Sequence, residues 1–169
     1  NAENALLLDK TQASAFALLG WAKGYMGEYL EAESDVKAAI EIDPGSALAH
    51  AVYADILARR VVNDAGEFDT LDKAIEESKT AMTLNPDLLE SNWARGYFLE
   101  ITSNYEEAIQ QLLRAVEIND SIAELHLALG RNYMTLEEYD QAVFEFTKAY
   151  SLNPTDPAAN WWISQVYAR

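Results

Sequence analysis

A chain of 169 residues, half of them hydrophobic, suits one domain with a substantial core and argues against disorder. Its 12 basic against 28 acidic residues give a formal charge of -16, which would repel a nucleic-acid backbone and an anionic membrane surface alike. No run of about 18 apolar residues is present to span a bilayer, and the lack of cysteine excludes disulfides, thiolate nucleophiles and cysteine metal sites without assigning a compartment.

In chain order, Asn1 and Ala2 resemble the scar left by a removed affinity tag and carry no signal-peptide pattern. Residues 3–12 contain Ala5-Leu6-Leu7-Leu8-Asp9, which matches Ala39-Ile40-Glu41-Ile42-Asp43 further on, so they are predicted to be the tail of a preceding unit's second helix. A first complete unit covers 13–46. A second, 47–88, is 42 residues long because of an insertion around Val61-Val62-Asn63-Asp64-Ala65-Gly66-Glu67-Phe68, predicted to lengthen the link between its two helices. A tolerated surface loop is the simpler account of that insertion and a partner contact the other, since doubling a loop costs only about 0.6 kcal/mol. The third and fourth units, 89–122 and 123–156, superpose at a spacing of 34 residues, a period that signals a solenoid of stacked units. The last segment, 157–169, is predicted to be a first helix without its partner. Trp161, Trp162, Ile163, Val166 and Tyr167 leave it apolar nearly all round, where a terminal cap should be polar outside. Both ends therefore read as cuts from a longer repeat array.

Within each unit the recurring slots describe two antiparallel helices in close contact. Gly20, Ala54, Gly96 and Gly130 fall midway along the first helix, and the second answers with Ala32, Ala74, Ala108 and Ala142. Seven residues later Ala39, Ala81, Ala115 and Ala149 return on the same face. Tyr29, Leu71, Tyr105 and Tyr139 are predicted to open the second helices, and Ile42, Leu84, Ile118 and Leu152 to close them. The closing pairs Asp43-Pro44, Asn85-Pro86, Asn119-Asp120 and Asn153-Pro154 follow, proline ending the helix in three of the four. Asp156 before Pro157 is predicted to be an N-cap with proline at the first helical position, and Ser121 with Glu124 a capping box.

The spacing of Leu129-Gly130, Tyr133, Ala142, Phe146, Ala149 and Pro154 is similar to the tetratricopeptide pattern, and the resemblance runs over residues 5–169. It implies an all-α fold, a right-handed α-solenoid of antiparallel helix-turn-helix hairpins. His50, Asn92 and His126 depart from the pattern where an aromatic is common, as do Arg95 and Ser78, and these departures are read as weaker packing.

No residue set nominates an enzyme, a cofactor or a metal site. The two histidines, His50 and His126, stand 76 residues apart in equivalent slots with no second histidine a turn away, and no phosphate loop, dinucleotide fingerprint or nucleophile elbow is present. The acid pairs Glu76-Glu77, Glu106-Glu107 and Glu137-Glu138 are read as solvated surface, the latter two favoured by a helix N-terminus.

The resemblance implies that first helices line a concave face on which an extended peptide or short helix lies. By helical spacing that row holds Trp21 and Tyr25, then Asp55 and Arg59, then Trp93, Tyr97 and Glu100, then Leu127 and Arg131, with Trp161 extending it. The members of this family that hold the C-terminal carboxylate of chaperones use lysines, asparagines and an arginine. The matching positions here are Ala17, Trp21, Val52, Glu90 and Ala94, so that partner is not expected. The expected function is a protein-interaction scaffold holding an amphipathic or partly basic protein or peptide in an aromatic, apolar groove. Packing between neighbouring repeats accounts equally well for Trp93 and Tyr97. The alternatives are self-assembly into a homo-oligomer through the solenoid ends, and a regulatory or targeting part of a larger enzyme.

Overall fold

The structure, a computed structural model, describes residues 2–64 and 68–168, with side chains described for 7–63 and 70–168. Among these residues all regular structure is helical: α1 (Ala2–Tyr25), α2 (Tyr29–Ile42), α3 (Ala47–Asp64), α4 (Phe68–Leu84), α5 (Leu89–Ile101), α6 (Tyr105–Ile118), α7 (Ala123–Thr135), α8 (Tyr139–Leu152) and α9 (Pro157–Tyr167). The chain divides into two compact units, Asn1–Phe98 and Leu99–Arg169.

In the first unit α1 packs on α2, α3 on α4, and α3 also against α1 and α2. Small residues set the approach. A Cβ built on Gly20 would lie 2.9 Å from the Ala32 carbonyl oxygen and 2.6 Å from Val36 Cγ2, so only glycine lets α1 come this close to α2. Ala32, Ala39, Ala74 and Ala81 have no exposed surface. Around them Val36, Val52, Tyr53, Ile56 and Leu57 form the larger core, and Ala51, Ala54, Ala81 and Ala94 a second cluster of methyl groups alone.

In the second unit α7 packs on α6, α8 and α9, and α8 on α9. Gly130 serves here as Gly20 does above, since a Cβ on it would stand 2.4 Å from the Phe146 ring. That ring is fully buried and stacks on Trp162, with centroids 5.8 Å apart and planes 10° from parallel. Ala123, Leu127, Met134, Ala142 and Ala149 complete the core, with Ala159 and Val166 of α9.

Three hairpin turns close in one way. Gly27, Ser103 and Glu137 take positive φ of 82°, 62° and 62°. In each case the next amide donates to a carbonyl five residues back: Glu28 to Lys23, Asn104 to Leu99 and Glu138 to Tyr133. This is the left-handed closure that ends many helices, and only the first is made by the residue best suited to it.

Helix ends at Ile42, Leu84, Ile118 and Leu152, and starts at Tyr29, Tyr105 and Tyr139, fall where the sequence places them. Four local expectations are corrected. The boundary expected between residues 12 and 13 is not a turn, because nothing in Asp9-Lys10-Thr11-Gln12 breaks a helix and α1 runs through it. The insertion is not a loop over its described part: Val61 to Asp64 prolong α3 to 18 residues against 13 in α5, while residues 65–67 lie outside the described ones. In consequence α4 opens at Phe68, before Leu71. Ser121 makes no capping box, since the N-cap of α7 is Ile122 with no side-chain bond. The Asn119 carboxamide oxygen accepts the Ser121 amide at 3.0 Å instead, a turn repeated by Asp43 with Gly45 and Asn85 with Asp87. Asp156 caps α9 as expected, accepting from the Ala158 amide at 2.9 Å with Pro157 at the first position.

Candidate binding face and buried histidine pairs

Six of the ten residues singled out for the partner face lie in the first unit and meet one another. Trp21 and Tyr25 are one turn apart on α1, Asp55 and Arg59 on α3, and Trp93 and Tyr97 on α5, so each pair points from one helix face. Trp21 meets Tyr25 edge to face at 5.9 Å and Trp93 at 5.5 Å. The Arg59 guanidinium lies 4.0 Å from the centre of the Tyr25 ring and 5.3 Å from that of Tyr97. Its Nε donates to Asp55 Oδ2 at 2.8 Å. Burial works against the Arg59 charge, but Asp55 and the two tyrosines outweigh it and hold the guanidinium more firmly protonated than usual. Trp93 is largely buried, whereas Tyr25 is 47% exposed, so the cluster has a packed floor and an open rim. Asp55 is also buried, and its Oδ1 has no hydrogen-bond partner.

In the second unit, Arg131 grips Glu100 with two parallel bonds, Nε to Oε1 at 2.8 Å and Nη2 to Oε2 at 3.0 Å. Leu127 belongs to the core cluster. Trp161 is 53% exposed and rests edge-on against Trp162, with centroids 4.6 Å apart.

Three of the residues that depart from the family pattern, His50, Asn92 and His126, make built polar contacts and are not weak packing. His50 Nδ1 lies 2.5 Å from Glu77 Oε2 and its Nε2 3.1 Å from the Pro44 carbonyl. His126 repeats this with Glu145 Oε2 at 2.6 Å and the Asp120 carbonyl at 3.0 Å. Asn92, in the same slot of α5, donates to the Pro86 carbonyl at 2.8 Å. In all three the acceptor lies six residues back, in the turn before the helix.

Each imidazole thus faces a carboxylate on one nitrogen and a carbonyl on the other, both acceptors, which suits the doubly protonated ring. For His50 the Glu77 bond raises the pKa most, against burial; for His126 burial opposes the charge most but Glu145 and the Asp120 carbonyl prevail. Burial pushes Glu77 up, yet His50 and Lys73 together bring it below its usual range. Lys73, bonded to Glu77 and Glu76, is pushed up to about 12. Glu77 is therefore buried, which corrects its reading as solvated surface, while Glu106, Glu107, Glu137 and Glu138 are exposed. With both ring nitrogens engaged, neither histidine is placed to take a proton from a substrate. Among the described residues no three His, Cys, Asp or Glu side chains gather as metal ligands, and no helix is long and apolar enough to cross a membrane.

Three family models described as tetratricopeptide repeat match the chain, over residues 18–81, 89–121 and 123–156. Among solved structures the chain is similar to PilF of Pseudomonas aeruginosa, with TM-score 0.76, 25% identity, and coverage of 95% of this chain and 69% of that one. It is similar to TTC0263, a thermophilic TPR protein of Thermus thermophilus, with TM-score 0.76, 19% identity, and coverage of 99% and 87%. It also resembles MamA, with TM-score 0.64, 22% identity, and coverage of 93% and 81%. No curated protein matches the sequence. The 34-residue rhythm, the glycine and alanine contacts between paired helices and these matches lead to one conclusion: the chain belongs to the tetratricopeptide repeat family, an all-α helical-repeat fold.

Proposed function

We propose that this chain is a non-catalytic scaffold that holds a protein or peptide segment on the aromatic face of its first unit, where Trp21, Tyr25, Asp55, Arg59, Trp93 and Tyr97 meet. Repeats of this family in general serve protein–protein contact. The observation that carries the finer reading is the Arg59 guanidinium, ion-paired to Asp55 and set against two tyrosine rings beside an edge-to-face pair of indoles. Aromatic and arginine side chains so clustered are the types that dominate interface energetics. The acidic body favours an amphipathic partner that carries basic groups, with an attraction that weakens as salt rises. A chaperone C-terminal carboxylate would meet Ala17, Trp21, Val52, Glu90 and Ala94, which offer it no cation. Glu100, Leu127, Arg131 and Trp161 are proposed to contribute less, because Arg131 is already engaged by Glu100 and Leu127 by the core.

Capture from the native host's lysate tests this. A Trp21→Ser, Tyr25→Ser variant that melts within a few degrees of the parent should lose the partner that the parent retains; equal capture by both would remove the face from consideration.

Self-assembly is the second reading, favoured by Trp161 and Tyr167, which α9 leaves exposed. Trp162 and Ile163 pack on the α7–α8 core, so the informative variant is Tyr167→Asp. A dimer seen by light scattering and abolished by Tyr167→Asp supports this reading, and a concentration-independent monomer removes it.

A further inference from the structure

Of the two buried histidine joints, the one in the first unit is built into a helix of the aromatic face. His50 stands in the first turn of α3, and Asp55 and Arg59 follow on the same helix. The next two residues, Ala51 and Val52, line the space between Trp21 and Trp93. Val52 belongs to the core cluster on which Trp21 packs, and Ala51 to a methyl cluster with Ala94, the neighbour of Trp93 in α5. On the far side of the joint, Glu77 of α4 stands between Ala74 and Ala81, which belong to those same two clusters. The imidazole therefore fastens α3 to α4 between the two patches of core that support the indoles.

The fastening depends on the number of protons on the ring. Nδ1 meets Glu77 Oε2 at 2.5 Å and Nε2 meets the Pro44 carbonyl at 3.1 Å, and both are acceptors. A doubly protonated ring donates to each. A neutral ring has one N–H and one lone pair, so one of the two contacts sets lone pair against lone pair. A change of tautomer only exchanges which contact fails. The ring is 9% exposed, so little water is at hand to relieve the mismatch. The charged groups that bear on it, Glu77, which favours the second proton, and Lys73, which opposes it, both come from α4, and the turn before α3 contributes the Pro44 carbonyl.

We infer that the His50 joint is a proton-operated latch on the aromatic face, holding it in its binding shape while the imidazole carries both protons. The inference rests on that face being the partner surface and adds how the surface is controlled. Loss of one N–H frees α3 from α4 or from the turn before it, the supports of the two indoles part, and the partner is released. The face is thus set for retention in mildly acid solution and release as alkalinity rises.

The chain has four tryptophans and two histidines, which makes the latch open to a direct test. Between about pH 5.5 and 8.5 the groups that ordinarily titrate are imidazoles and the chain N-terminus. NMR of the intact chain follows the indole C–H signals over that range. Trp21 and Trp93 are expected to shift with a midpoint above the ordinary histidine value of 6.5, and to stop doing so in His50→Asn. Asparagine there keeps a donor for the Pro44 carbonyl, as Asn92 does for Pro86, but has no proton to lose. His126→Asn should leave both shifts in place. Glu77→Gln removes the carboxylate and should lower the midpoint, whereas Lys73→Gln should raise it. Lys73 is 43% exposed, so that variant serves even where His50→Asn does not fold. Capture of the partner by the parent should fall about fivefold or more from pH 6 to pH 8.5, the lower end of ordinary coupling between sites, and should stay level with His50→Asn.

The latch is refuted if Trp21 and Trp93 do not titrate, if they titrate unchanged in His50→Asn, or if the midpoint ignores both charge changes. Equal capture by the parent at the two pH values, while Trp21→Ser, Tyr25→Ser still loses the partner, would refute it too and leave the face standing. Retention of the partner by that double variant would refute the face itself, and with it any control of binding there.

Discussion

His126 Nδ1 and Glu145 Oε2 stand 2.6 Å apart inside the second unit, and the other ring nitrogen donates to the Asp120 carbonyl. The same arrangement joins His50, Glu77 and Pro44 in the first unit. Raised histidine values mean that folding takes up protons at these rings. Their stabilising contribution is complete below the ordinary value of 6.5 and fades as pH climbs through the raised one. The lowered Glu77 acts with the opposite sign, complete above its ordinary value of 4.5 and fading as pH falls. Stability should therefore be greatest between about pH 4.5 and 6.5 and decline on the alkaline side. Urea unfolding at pH 5.5 and 8.5 measures this, and His50→Asn with His126→Asn should flatten the alkaline limb. At pH 5.5, His126→Ala should cost about 1.5–3 kcal/mol, the range for a hydrogen bond to a charged group. An unchanged pH profile in the double asparagine variant would show that the rings are neutral.

The hairpin turns give a prediction with two signs. Glu137 holds φ of 62° with a side chain that gains nothing buried, so Glu137→Gly should stabilise by about 0.5–1 kcal/mol. Gly27→Ala, at φ of 82° in open space, should destabilise by about 1–2 kcal/mol through backbone strain alone. Thermal melts of the two variants against the parent decide it.

Packing at the helix crossings should be intolerant of a single carbon. Gly130→Ala places a Cβ 2.4 Å from a Phe146 ring that is itself stacked on Trp162, so the ring has nowhere to turn, and about 1–3 kcal/mol should be lost. Ala142→Leu should cost a similar amount. Gly45→Ala is the control: its nearest neighbour would be Asp43 Oδ1 at 3.5 Å, an ordinary contact, and denaturation midpoints should not shift.

Arg59 should matter to the fold as well as to the face. Arg59→Ala leaves the buried Asp55 carboxylate without its partner and should cost about 2–3 kcal/mol, below the 3–5 of a fully buried pair because the guanidinium is partly open to water. Arg59→Lys should recover only part of that loss, since an ammonium cannot lie flat against Tyr25 while pairing with Asp55. Equal unfolding free energies for Arg59→Ala and the parent would show the pair to be energetically idle.

The helical pairs were legible because the rule behind them is local. Glycine and alanine at fixed offsets allow two helices to touch, and proline ends a helix whatever surrounds it. The Trp21, Tyr25 and Arg59 cluster was legible for a related reason, being spaced one turn apart on first helices. The histidine pairs were not, because His50 and Glu77 are 27 residues apart and nothing local links an imidazole on one helix to a carboxylate on the next. A signal did exist in the slots themselves: His50, Asn92 and His126 are all polar donors at one repeat position, while Glu77, Gln111 and Glu145 share another. The extension of α3 was missed because the length of an insertion does not say whether it lengthens a helix or a loop.

One contact recurs at three of the joints where one hairpin follows another. The first helix of a hairpin reaches back and fastens the turn it has just left, through His50 to Pro44, Asn92 to Pro86 and His126 to Asp120. Two of these fasteners carry a removable proton and the third, a neutral amide, does not. Alkali should therefore loosen the chain at its imidazole seams first, while the seam held by asparagine keeps its grip.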